Sequence, residues 1–188
     1  ELLYHPGETN IRSANVIVIN KVDTADAKNI EIVKRNIAKL NPKAVVIEAA
    51  SPVTVDKPEL ITGKRVLVVE DGPTLTHGEM KYGAGIVAAE KFGAKEYVDP
   101  RPYTVGSITE TFAKYPEIGT LLPAMGYGDQ QVRDLEATIN ATDCDVVLSA
   151  TPIDISRLVK VNKPIVRAEY SLAERVTGQL AAQLKRFF

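Results

Sequence analysis

Short runs of Val, Ile and Ala recur along the chain, and between them apolar residues step by three and four. Val16–Asn20, Ala44–Glu48, Arg65–Glu70, Glu96–Val98, Thr120–Pro123, Val146–Ala150 and Ile165–Ala168 read as strands. Several of these runs are apolar throughout rather than alternating, which suits strands covered on both faces, as in a parallel sheet. Ile30, Val33, Ile37 and Leu40 mark one helical face, and Val132, Leu135 and Ile139 mark another. Leu172, Val176, Leu180 and Leu184 predict a closing helix. Ser107 with Glu110 and Ser171 with Glu174 have the spacing of capping boxes, in which each side chain satisfies a free amide at a helix start. Alternating strands and helices predict an α/β fold, with a three-layer, mostly parallel sheet and helices on both faces. Pro52, Pro58 and Gly63 break the rhythm over 49–63 as a linker would. The expected division is therefore 1–60, a strand–helix–strand remnant, and 61–188, an α/β unit of five strands.

Composition narrows the function classes. Of 188 residues, 45% are hydrophobic and 25% charged, which excludes disordered, collagenous and coiled-coil classes. Lys plus Arg (23) nearly balances Asp plus Glu (24), so bulk electrostatics offer no hold on nucleic acid and any basic site is local. Cys144 is the one cysteine, excluding an internal disulfide and a thiolate metal cage. Apolar runs are far shorter than the ~20 residues that span a bilayer, and no secretory leader is visible. The expected location is the cytoplasm, with no membrane partner. The first residue, Glu1, suggests a fragment or a processed chain.

At the end of the first strand stands Asn20-Lys21-Val22-Asp23. A carboxylate there can accept hydrogen bonds from N1–H and the exocyclic amine of guanine, while the lysine stem covers the ring and the asparagine ties loops together. Ser51 closes the next strand, where a second base-contacting loop belongs. Asn20, Lys21, Asp23 and Ser51 are thus candidate nucleotide-binding residues, against the plainer reading of a polar turn capped by Asp23 or Thr24. A phosphate cradle G-x-x-x-x-G-K-[ST] is missing from the chain. A nucleotide site would therefore need such a loop ahead of Glu1, making 1–60 the rear part of a P-loop NTPase-like domain.

A longer polar stretch runs from Glu70 to Gly85. A strand-to-helix loop of about twelve residues exceeds the usual two to six. Asp71, Thr74 and Thr76 offer polar side chains, Gly78, Gly83 and Gly85 allow close backbone approach, and His77 and Lys81 add positive charge. The group describes an anion pocket; the plainer alternative is a solvated glycine-rich turn. Gly126 and Gly128, then Thr151, Asp154 and Arg157, follow two further strands, and Arg101 follows a third. In open α/β sheets ligands sit outside the carboxyl ends of strands, so these loops are expected to share one rim. Arg12, in the opening segment 5–12, could neutralise charge during phosphoryl transfer if that segment is a loop near the nucleotide. Arg12, His77 and Lys81 are the candidate catalytic residues, and no resident metal site is predicted.

The runs His5-Pro6-Gly7-Glu8-Thr9-Asn10 with Arg12, Val18 to Asp23, Val69 to Gly78, and Thr151 to Asp154 are similar to the predicted GTPases related to cyclic 2,3-diphosphoglycerate synthetase. The resemblance covers nearly the whole chain. It implies a longer protein with a P-loop domain ahead of this part. It also implies ATP or GTP with Mg²⁺ as cofactors, and a small phosphorylated metabolite, 2,3-bisphosphoglycerate, cyclised with release of ADP and phosphate. A homodimer is compatible with it. Two other classes stay open: a GTPase switch or metallochaperone, which would call for a Cys-x-Cys or His-rich tract that the chain does not have, and a non-catalytic regulator that binds a phosphometabolite.

Overall fold

The computed structural model describes residues 6–77 and 82–186, and the fold is α/β. Its contacts divide the chain into two units, Glu1–Pro52 with Tyr170–Phe188, and Val53–Glu169.

The first unit is built on β1 (Val16–Ile19) and β2 (Val45–Ala50), parallel in register from Val16 opposite Val45 to Ile19 opposite Glu48. Between them α2 (Ala27–Leu40) is capped by Asp26, whose side chain accepts the Lys28 amide at 2.7 Å. Its predicted apolar face is the face it buries: Ile37 is 2% exposed and packs with Ile11, Ile19 and Val22, while Ile30, Val33 and Leu40 flank them. The opening segment is a helix, α1 (Gly7–Ser13), rather than a loop.

The second unit centres on β4 (Arg65–Asp71). β5 (Glu96–Tyr97) and β6 (Leu122–Ala124) pair with its two halves, and β7 (Val146–Ala150) runs along its other side, all parallel. β8 (Ile165–Tyr170) continues the sheet in parallel, and β3 (Val53–Val55) closes its edge. Val66 to Val69 of β4 and Val147 and Leu148 of β7 are wholly buried. The helices are α3 (Gly72–His77), α4 (Ala84–Lys91), α5 (Gly106–Lys114) and α6 (Asp129–Ala141). Leu135 and Ile139 of α6 face the core as their spacing predicts.

Five local expectations are corrected. The stretch read as a linker contains β3, whose following residue Asp56 donates its amide to Arg167 O and accepts the Arg167 amide at 2.8 Å. The loop expected from Glu70 begins with α3 instead. Ser107 does not box with Glu110, because its amide and hydroxyl both donate to Asp134 at 2.9 and 2.7 Å. The closing helix shrinks to α7 (Gln179–Leu184), since Ala173–Glu174 forms a strand, β9, antiparallel to Ala49 and Ala50. Glu174 then accepts the Gly178 and Leu180 amides from outside the helix, so no box with Ser171 forms. That pairing is also why the last segment groups with the first strands and not with the unit it follows in sequence.

Candidate functional site

In the first unit the chemistry gathers at the carboxyl ends of β1 and β2. Lys21 has φ of 61° and is the one non-glycine residue with positive φ among the described residues. A lysine in the left-handed region is strained, and such strain concentrates where function demands a particular backbone. The turn it makes is held on both sides: the Val22 amide donates to Ala49 O at 3.1 Å, and Lys21 O accepts the Thr24 and Ala25 amides. Asp23 Oδ1 then accepts the Ser51 amide at 3.0 Å, joining the two strand ends. Ser51 is 8% exposed while Asn20, Lys21 and Asp23 are open to solvent. Asp23 Oδ2 has no partner among the described residues, and each carboxylate oxygen has two lone pairs. The carboxylate is therefore fixed in orientation yet free to accept from a ligand, which fits the base of a nucleotide. Nearby, the Lys34 hydrogen bond holds the Glu48 carboxyl below its ordinary value, and Arg175 pairs with the same carboxylate at 2.8 Å. Arg12 is placed differently from expectation: on α1 it pairs with Glu8 at 2.7 Å, one turn away.

In the second unit the chain moves from β4 to β5 and β6 on one side and then to β7 on the other. This reversal beside β4 is the kind of switch point where open sheets form a crevice. The register sets Asp71 beside Ala124, and Glu70 beside both Pro123 and Ala150, so three strand ends meet at one rim. Asp71, Gly126 and Thr151 start from there.

The rim's centre is Glu70, which the list of candidates omits. It is 4% exposed, and its Oε1 accepts the Gly83 and Ile86 amides, each at 3.0 Å. Burial pushes its carboxyl above the ordinary range, against the lowering effect of the Ile86, Gly83 and Gly85 amides. A Cβ on Gly83 or Gly85 would come within about 3 Å of that carboxylate. The glycines are thus required for an internal anion, and their amides, expected to face a bound anion, are already engaged. Tyr127 is the second omitted residue. Its hydroxyl is buried, with Thr151 beside it, and burial, with the Asp71 charge, pushes the phenol upward against the lowering effect of Thr151.

Other candidates have structural partners. Thr76 Oγ1 donates to Gly72 O at 3.1 Å. Thr151 Oγ1 donates to Ile153 O at 2.6 Å and lies 3.0 Å from Ser149 Oγ. Gly126 packs against the Gln131 side chain, whose oxygen accepts the Gly128 amide at 3.3 Å. Asp154 caps a short helical turn through the Ser156 amide and hydroxyl, and the hydroxyl bond chiefly lowers its carboxyl. Arg157 extends into solvent, 83% exposed, 3.4 Å from Asp154. Arg101 is drawn away from the rim. Its strand pairs only with Arg65 and Val66, and its guanidinium binds Asp99 at 3.0 Å and Ile118 O, and lies 4.7 Å from the Phe112 ring. Gly78 and Lys81 lie outside the described residues. Thr74 and His77 belong to α3, with side chains outside the description. Among the described residues no group of three or more His, Cys, Asp or Glu could hold a metal ion, and no helix is long and apolar enough to cross a membrane.

The fold is that of an α/β protein with polar groups gathered at the strand termini of each unit. No family model matches the chain. It is similar to arginine synthetase ArcE of Thermococcus kodakarensis, 65% identical over 174 residues, which cover 93% of this chain and 39% of that protein. The chain thus spans about two fifths of the length of the curated relative it matches.

Proposed function

We propose that this chain is part of a nucleotide-dependent synthetase. Its first unit recognises the base of ATP or GTP, Mg²⁺ accompanies the phosphates, and a P-loop outside these residues holds them. The observation that carries the nucleotide reading is the Asp23 carboxylate, oriented at 3.0 Å by the Ser51 amide with its second oxygen open. The Thermococcus relative's name supports the synthetase class and makes arginine the first product to test. The rim of the second unit favours that choice over a multiply charged anion. The Gly83 amide is engaged by Glu70, and the Arg101 guanidinium is tied elsewhere, so two of the groups expected to hold such an anion are already paired.

The second reading is ATP-driven cyclisation of 2,3-bisphosphoglycerate, with ADP and phosphate released. It is favoured by the motif likeness over nearly the whole chain. Full-length protein incubated with arginine, a nucleoside diphosphate, phosphate and Mg²⁺ is expected to run the synthesis in reverse, breaking down one arginine to its precursors for each nucleoside triphosphate formed, and to form none without arginine. Formation of a cyclic phosphoanhydride from ATP and 2,3-bisphosphoglycerate, followed by phosphorus NMR, would reverse the order of the two readings. Failure to bind either triphosphate would remove both. At the base, Asp23→Asn replaces an acceptor with a donor, so guanine affinity is expected to fall roughly tenfold or more relative to adenine, read by competition between GTP and ATP. An unchanged ratio excludes the role.

A further inference from the structure

The antiparallel return of the chain beside β2 carries Leu172 to the end of the first unit where Asp23 lies. Glu48 O accepts the Arg175 amide at 2.9 Å, and Ala49 and Ala50 stand opposite Glu174 and Ala173. The same register recurs further along, where the Asp56 amide donates to Arg167 O. Leu172, one residue beyond the last ladder pair, therefore falls opposite Ser51. Ser51 turns its amide away from Leu172 and onto Asp23 Oδ1, at 3.0 Å. The two residues are thus a pair without a mutual hydrogen bond, the kind whose Cα atoms approach to roughly 4.5 Å and whose side chains lie closest on one face. Leu172 is 47% exposed, and with Leu180, Ala181 and Leu184 it lines a groove of about 470 Å³. A single exposed leucine is ordinary. Beside a carboxylate with an open oxygen it acquires a meaning, because an acceptor and an apolar surface within the width of one ring system match a ligand with a donor edge and a flat, weakly polar face. A purine base has both.

We propose that Leu172 is the apolar wall of the base site, packing on the purine whose edge donates to Asp23. The inference rests on the nucleotide reading of the first unit and deepens it: the base is held by the segment that returns from the far end of the chain as well as by the ends of β1 and β2. The leucine meets ring carbons and makes no hydrogen bond, so it adds to the affinity for ATP and GTP alike, whereas Asp23 sets the preference between them.

The test is calorimetric binding of ATP, GTP and inorganic tripolyphosphate, each with Mg²⁺, to the full-length protein and its Leu172 variants. Leu172→Ala is expected to weaken both nucleotides by a similar factor, about three- to thirtyfold, and to leave tripolyphosphate unchanged, since only the base meets the wall. Leu172→Gln keeps the side-chain length at a half-exposed position that the fold tolerates, and is expected to show the same loss. Leu172→Met, close in volume and apolar, is expected to bind within about threefold of the wild type. Nucleotide affinities unchanged in both Leu172→Ala and Leu172→Gln overturn the proposal while the nucleotide reading stands. An equal loss of tripolyphosphate also overturns it, by assigning Leu172 to the fold rather than to the base. A wild type that binds neither nucleotide removes the nucleotide reading, and the wall falls with it.

Discussion

At the scale of residues, the carboxylates are distinguished by what they meet. Asp23 meets one amide and keeps an oxygen for a ligand, whereas Glu70 meets the amides of Gly83 and Ile86 in a buried site. Burial is the larger influence on Glu70 and raises its folded value above the ordinary 4.5. Its contribution to stability is therefore full below pH 4.5 and is lost as pH rises through the raised value. Glu70→Gln removes the titration and keeps an oxygen for both amides. Its thermal midpoint is expected to match the wild type near pH 4 and exceed it at pH 8; a difference that stays constant with pH contradicts the account. The residue types at these positions were legible in the sequence, as was their place at strand ends. Which carboxylate would turn inward was not, because Glu70 and Asp71 are adjacent, and only the approach of Gly83 decides between them.

At the scale of elements, the helices of regular apolar period formed where that period predicts, since an amphipathic face has one way to be covered. Helix ends were less legible. A serine followed three residues later by glutamate fits a capping box, but Asp134, 27 residues from Ser107, supplies the stronger acceptor. Hydrogen bonds from the Ser107 amide, then its hydroxyl, then Gln130 hold the Asp134 carboxyl below its ordinary 3.8. That stabilisation is present above pH 3.8 and lost as pH falls through the lowered folded value. Asp134→Asn is accordingly expected to unfold at lower urea than the wild type at pH 7, with the gap narrowing in acid. The spacing of Leu172, Val176, Leu180 and Leu184 misled for a related reason: Ala173 and Glu174 pair with β2, which outweighs a helical stripe that has nothing to bury it.

At the scale of the whole chain, two units each have their own apolar cluster, one around Ile37 and one along β4 and β7. Leu148 is fully buried in the second, so Leu148→Ala is expected to lower the stability of that unit by about 2–5 kcal/mol, read by denaturant unfolding. A loss under about 1 kcal/mol would mean that this strand is not at the centre of its core. The α/β character and the existence of the main strands were determined by the sequence alone, because short apolar runs must be covered on both sides wherever the chain takes them. The tertiary structure alone decided that 170–186 joins the first strands, that Ser51 holds Asp23, and that the glycine amides serve Glu70. These depend on hydrogen bonds between positions 13 to 127 residues apart, such as Gly83 to Glu70 and Arg175 to Glu48, and local pattern carries no information about which distant partners the chain's path will bring within reach.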